Sequence, residues 1–298
     1  MGWQAYHLTY RAVTPIALGA YCFGFIQRTR YYAPGWTLWG AITAQLTRAI
    51  LPRAGGDDYE TIGHFVKTNL PTSYAYILVD DEPAWPQYRE GQLYYGPLSA
   101  AEFETRFVTS FGQTAIAPAT FTAHTGTLHE TELLSPRDQV GGEPVLWRFT
   151  LYVRQPWHNS PEKLEGLEVQ KVLDALEHLT LGGDRGYGFG RLVRGEIQGR
   201  EDLGEGEWPR PLDWNPQERV LRAHVELKDL AGEEVRGRAE PIVRRLWQND
   251  PGEGTWGPGQ RREGHLLYAP GSRVERANWQ PLVGPLGIWM TEGDHAPT

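Results

Sequence analysis

Leu179 to Gly195 read LTLGGDRGYGFGRLVRG and put five glycines inside the nine positions from Gly182 to Gly190. Glycine lacks a Cβ and adopts φ > 0 without strain, so successive amides in such a run can converge on one anionic oxygen. Arg185 and Arg191 set guanidinium forks beside them, and a guanidinium matches phosphate geometry in a bidentate fashion. The chemistry specified is phosphate gripping, with Gly182, Gly183, Gly186 and Gly188 as amide donors. Tyr187 and Phe189 alternate about the glycines, so at least one should pack inward; Tyr187 is the ring expected to meet a ligand.

The flanking elements narrow the kind of phosphate. Ser160 to Leu179 reads as a helix, with Ser160 as N-cap, Pro161 at the first position and Leu164, Leu167, Val172, Leu176 and Leu179 at helical spacing. Arg191 to Gln198 alternates like a strand. Rossmann fingerprints and P-loops run from strand to helix, and a kinase glycine loop joins two strands, so a helix-to-strand loop excludes those nucleotide sites. The ordinary alternative is a glycine-rich hairpin turn in a β protein.

The segment GGDRGYGFGRL resembles the glycine-rich signature of the RAMP superfamily, the RNA-binding subunits of CRISPR effector complexes. In that family the loop lies between the second helix and the last strand of a ferredoxin-like β-α-β-β-α-β domain. APGWTLWGAITAQL, from Ala33 to Leu46, is similar to the SDTLFGAL type of sequence that opens the first helix in the group-5 branch. The resemblance implies a non-catalytic subunit of a type III-like effector that binds the 5′ handle of the CRISPR RNA. It would cap a filament of backbone RAMP subunits and dock a large or nuclease subunit where one is present. Rival readings are a CRISPR RNA-processing endoribonuclease of the same superfamily, a polymerising backbone subunit, and a small-molecule or structural β-rich binding protein. About a hundred residues follow the loop, against the first rival, whose loop lies near the C-terminus; an apparent second domain counts against the second.

Composition is that of a globular protein of about two domains: 298 residues, 40% hydrophobic and 22% charged. The net charge of −8 argues against a generic polyanion binder but permits a local basic groove. Only four of the 29 basic residues are lysine, an arginine bias that suits phosphate forks and that a GC-rich genome also produces. A lone Cys22 rules out an intrachain disulfide and a cysteine zinc site. No apolar run suits a signal peptide or a membrane span, so a cytoplasmic protein without membrane contact is expected.

The remaining elements complete an α+β order. Trp3 to Ile16 reads as a strand, Ala17 to Gly35 as an aromatic and arginine loop or hairpin, and Trp36 to Leu51 as a helix. Ser73 to Asp80 and Leu93 to Leu98 read as strands, with a Ser99/Glu102 capping box opening a short helix to Phe111. Thr120 to Arg137 reads as an extended arm and Pro144 to Arg154 as a strand. A ferredoxin-like (RRM-like) domain with insertions is expected over residues 1–198, a Gly/Pro/acid-rich linker over 199–217, and a smaller, degenerate β-rich domain of the same type over 218–298. In the latter, Pro241 to Asn249 reads as a helix and Asn249 to Glu263 as a loop.

Two further RNA-contact candidates follow. Arg28, Arg30, Tyr32 and Trp36 interleave cations with rings on which bases can stack. His124, His129 and Arg137 lie on the arm, which resembles in degenerate form the family segment preceding a β-hairpin thumb that kinks the guide RNA; the aspartate and arginine of that pattern are missing beside His124. His7, Tyr21 and His124 are the groups available as acid or base for metal-independent RNA cleavage, but no catalytic role is expected. The pairs Asp57/Asp58 and Asp80/Asp81 are the candidates for Mg²⁺, with solvated turns as the ordinary reading. Neither a metal nor a cofactor is expected.

Overall fold

A computed structural model describes residues 2–230, 234–250, 255–276 and 278–292. The core elements are β1 (Gly2–Ala12), α1 (Gly35–Ile50), α2 (Gly56–Asn69), β2 (Ala75–Val79), α3 (Ala100–Phe107), β3 (Leu146–Gln155), α4 (Val169–Ala175) and β4 (Arg191–Glu205). The core strands pair antiparallel in the order β4-β1-β3-β2, the arrangement of a ferredoxin-like domain. The fold is α+β, as expected.

Two-residue alternation makes this sheet two-faced. Leu8 and Tyr10 of β1, Ile77 of β2 and Trp147, Phe149, Leu151 and Val153 of β3 point to one side. There they meet Leu38, Ile42 and Leu46 of α1, Ile62, Phe65 and Val66 of α2, and Val172 and Leu173 of α4. Trp3, Ala5, Tyr76 and Tyr152 point to the other side, together with Tyr74, which lies just before β2. They are buried under Leu221, Val225, Tyr268, Val274, Trp279 and Trp289 from the C-terminal part. The second region therefore covers much of the sheet face on which an RRM stacks its bases.

Several expectations are corrected. Ser160 to Leu179 is not one helix: Gly166 takes φ +71 between a 3₁₀ turn at Glu162–Leu164 and α4, and His178–Thr180 is a strand. Leu164, Leu167, Val172, Leu176 and Leu179 are all buried, so the burial pattern held while the backbone broke. That short strand pairs with β4, Thr180 opposite Arg191, so the glycine loop closes a hairpin just after the helix. The expected linker begins inside β4, which pairs with β1 as far as Glu205. Gly199 (φ +71) and Gly204 (φ +72) lie at or beside the places where that register shifts, so glycines that read as a linker serve β-bulges. Pro241 to Asn249 is strand, within Ala239–Asp250, and pairs with Thr255–Tyr268, which replaces most of the expected loop; the part of that loop at 251–254 lies outside the described residues. Pro241 is tolerated because its strand is a sheet edge. The second region carries no α-helix among its described residues.

Helix α2 has no counterpart in the sequence reading. Asp58 sits in its first turn, accepts from the Gly55 amide at 2.8 Å and pairs with Lys163. Asp80 and Asp81 (φ 53 and 64) form the tight turn after β2. Asp58, Asp80 and Asp81 thus have local backbone roles, and no group of three or more potential ligands gathers among the described residues.

Candidate nucleic-acid interface

The glycine loop is held rigidly from below. Gly183 N–H donates to the Ala17 carbonyl at 2.9 Å, Gly190 N–H to Pro15 at 2.7 Å, and Leu181 N–H to Gly190 at 2.8 Å. Gly182 and Gly190 take φ +80 and +87, and a Cβ on either would sit 2.0 Å from a carbonyl oxygen, of Ala17 and Leu181 respectively. These two glycines are required by close backbone approach. Gly188 N–H donates to Arg185, closing a 3₁₀ turn over Arg185–Tyr187. Of the four amides expected to grip phosphate, those of Gly183 and Gly188 are thus engaged within the protein, leaving Gly182 and Gly186. Tyr187 is 63% exposed, while Phe189 leans edge-on against Phe111.

This loop, the base of the aromatic hairpin and the start of α1 converge on one cleft of about 310 Å³. Its lining includes Arg30, Trp36, Thr37, Gly182, Gly183 and Arg185. Helix α1 enters it behind Pro34 with no side-chain cap; the Thr37 amide donates to the Pro34 carbonyl at 2.9 Å, and the positive dipole end of the helix lies at the cleft. Arg185 bonds the Gly182 carbonyl at 3.1 Å and has no carboxylate partner among the described residues. Crowding, together with the nearby charge of Arg48, pushes its pKa below the ordinary arginine value. An anion in the cleft would relieve that repulsion. Arg191 is exposed at the head of β4, its amide tied to Thr14 Oγ1 at 3.0 Å.

The aromatic hairpin is corrected in detail. Tyr32 is buried, stacked against Tyr74 and beside Tyr76. Arg30 is paired with Glu240 at 2.8 Å and Arg28 with Glu132 at 3.2 Å, so both cations are already neutralised. Trp36 packs edge-on against Tyr74 while still lining the cleft. The rings that do face solvent are Tyr21, Phe23 and Phe25 around the hairpin tip. A larger cavity of about 380 Å³, lined by Arg28, Arg30, Tyr31, Tyr95 and Arg238, meets the glycine-loop cleft at Arg30. Arg238 and Tyr95 come from distant sequence, and no local signal marks them.

The arm is a β-hairpin rather than an extended run: Val108–Gln113 pairs with His129–Leu134, and residues 114–128 form its tip. Phe121, 85% exposed, stands at that tip. His124 is exposed, its ring Nδ1 3.2 Å from the Thr125 carbonyl, His129 bonds Thr127 O, and Arg137 lies beyond the hairpin, bonded to Gly142 O. None of the three lines the glycine-loop cleft. His7 lies on the opposite face of the sheet, between Thr150 and Glu201. Tyr21 is on the hairpin and His124 on the arm, so the three acid–base candidates are scattered.

No family model and no curated protein matches this sequence. A solved chain does share the fold: one from the cryo-EM structure of the Type III-B Cmr-beta bound to cognate target RNA and AMPPnP aligns with a TM-score of 0.53. The alignment covers 90% of this chain and 85% of that one at 11% identity. Chains from Cmr-beta bound to cognate target RNA and from its apo state align at TM-scores of 0.40 and 0.37, also at 11% identity, covering 64% of this chain and 96% of theirs. These two carry no argument, and at such identity the first establishes likeness of fold alone. Among the described residues no helix is long and apolar enough to cross a membrane.

Proposed function

We propose that this chain is a non-catalytic RNA-binding subunit of a type III-like CRISPR ribonucleoprotein, gripping the 5′ handle of the CRISPR RNA and capping a filament of backbone subunits. The observation that carries the reading is the convergence of Arg185, the Gly182–Gly183 backbone and the uncapped start of α1 on one cleft of a ferredoxin-like core. The Gly182 amide, a helix N-terminus and a guanidinium without a carboxylate partner together make an anion site. Exposed rings on two neighbouring hairpins offer stacking surfaces for unpaired bases. The fold likeness to a chain of an RNA-bound Cmr-beta complex supports the same reading. Selectivity in this mechanism comes from backbone shape and stacking rather than a base-edge code. The acidic balance elsewhere then serves solubility and docking to other subunits, among them a large or nuclease subunit where one is present. Such a protein works in the cytoplasm.

The test is Arg185→Ala combined with Arg191→Ala, titrated with a repeat-derived guide RNA at several salt concentrations. Each phosphate contact on a single strand contributes about −0.7 to the slope of log K against log salt, so the double variant should weaken binding and flatten the slope by about 1.4. Unchanged affinity and slope would remove the glycine loop from the interface. Sequencing of RNA that co-purifies from the native host is the second check: short RNAs sharing one repeat-derived 5′ end are expected, and RNA-free protein overturns the proposal.

A further inference from the structure

On the face of the sheet away from α1, the C-terminal cap leaves one cleft open, with a volume of about 260 Å³. Its walls come from β1 and β3 (His7, Arg148, Thr150), from Trp85, and from the segment that crosses the sheet (Asp213, Arg222). The volume lies just below the roughly 300–1,000 Å³ of drug-sized sites, which suits one base better than an oligonucleotide. It shares no lining residue with the glycine-loop cleft.

Three features give this cleft a defined chemistry. Asp213 Oδ1 is buried and makes no hydrogen bond among the described residues. Such an atom in a native fold calls for a partner. Arg222 sits over the Trp85 ring, its guanidinium carbon 3.6 Å from the centroid, and is held there by Glu218 at 3.1 Å and by the Asp213 carbonyl. That stack forms a planar, cationic wall, and Arg planes stack on bases. Arg148 is oriented by Thr9 Oγ1 at 3.2 Å and the Asp81 carbonyl at 3.1 Å, with no carboxylate partner among the described residues. Its charge is free for an anion. His7 is clamped between Thr150 Oγ1 at 3.1 Å and Glu201 Oε1 at 3.2 Å, and a clamped imidazole is a fixed polar contact.

A carboxylate only accepts hydrogen bonds, so it selects ligands by their donors. Of the RNA bases only guanine presents two adjacent donors, N1–H and the 2-amino group, on one edge; adenine, cytosine and uracil set each donor beside acceptors. We propose that this cleft is a guanine-nucleotide site, with the base edge on Asp213, the ring against the Arg222–Trp85 stack and the phosphate toward Arg148. Burial pushes the Asp213 carboxyl pKa up against the opposing charge of Arg222, and hydrogen bonds donated to the carboxylate would act in the same sense as Arg222. A free nucleotide and a terminal guanosine of an RNA strand present the same groups, and the titrations below separate them.

The test is calorimetric titration of the full chain with GMP, IMP, AMP, CMP and UMP. GMP should bind one-to-one, and IMP, which lacks the 2-amino group, should bind about tenfold more weakly or worse. Asp213→Asn should erase the GMP-over-IMP preference. Should that variant fail to fold, Arg148→Gln carries the test: it should weaken GMP while leaving guanosine unchanged. Comparison of GMP with an oligouridine carrying a 5′-terminal guanosine assigns the source by whichever binds tighter. The Arg185→Ala/Arg191→Ala variant should bind GMP normally, so failure here and failure of the glycine-loop reading are separable. Equal binding of all five nucleotides, no GMP binding at millimolar concentration, a preference surviving in Asp213→Asn, or GMP binding lost with Arg185 and Arg191 would each overturn the assignment.

Discussion

Replacing Gly190 with alanine isolates what the glycine loop demands of its backbone. At φ +87 an L-residue sits in the left-handed region, which costs roughly 1–2 kcal/mol. The added methyl would lie 2.0 Å from the Leu181 carbonyl oxygen, a contact that no rotamer relieves because both groups are fixed to main chain. Relief requires moving the strand start and disturbing two hydrogen bonds, Gly190 N–H to Pro15 and Leu181 N–H to Gly190, each worth roughly 0.5–1.5 kcal/mol. The expected loss is therefore ~2–5 kcal/mol, a fall of roughly 3–8 °C in melting temperature for a chain of this size. Gly186 is the internal control: its φ is ordinary and a Cβ would meet open space, so Gly186→Ala should change stability by less than ~1 kcal/mol. Urea unfolding of both variants beside the parent measures the difference. Gly190→Ala within ~0.5 kcal/mol of Gly186→Ala would refute the claim that close approach, rather than ligand contact, requires glycine there.

Two further predictions concern buried and capping charges. His224 is fully buried, with Tyr74 Oη 2.7 Å from Nδ1 and Glu240 2.5 Å from Nε2; burial lowers its pKa, so it is neutral, accepting from Tyr74 and donating to Glu240. Burial alone would raise the Glu240 pKa, but the His224 hydrogen bond and the Arg30 charge outweigh it and hold the carboxyl at about 2. A lowered folded pKa gives stability that is present above the unfolded value near 4.5 and lost as pH falls toward 2, ~3 kcal/mol in all by linkage. Glu240→Gln should lose stability at neutral pH, and its deficit against the parent should shrink across that window in urea melts at stepped pH; a constant deficit would refute the pairing. Asp58→Ala removes the acceptor at the start of α2 and the Lys163 pair, and should cost ~1 kcal/mol in equilibrium unfolding with guide-RNA affinity unchanged.

Much of the core was legible because it rests on local pattern. The alternation in β1 and β3, the apolar stripe of α1 and the Ser99/Glu102 capping box each announce themselves within a few residues, and the structure places them as read. The misreadings share a cause: identical local signals serve different tertiary ends. Gly199 and Gly204 look like linker glycines but sit at bulges against β1, and Pro241 looks like the start of a helix but lies on a sheet edge. Arg28, Arg30 and Tyr32 look like an open stacking surface until Glu132, Glu240 and Tyr74 turn up beside them from about 40 to 210 residues away.

The sequence by itself determined the glycine loop, the α+β element order and the cationic and aromatic character of the hairpin, since each depends on residue type and short-range spacing. Tertiary structure alone decided which of those groups stay available. Packing brought Arg185, the Gly182–Gly183 backbone and the start of α1 into one cleft, laid the C-terminal region over the far face of the sheet, and left Asp213 Oδ1 buried without a hydrogen-bond partner among the described residues. Burial and charge pairing are set by segments distant in sequence. A guanidinium or carboxylate therefore reads the same in the sequence whether it ends up neutralised or open to a ligand.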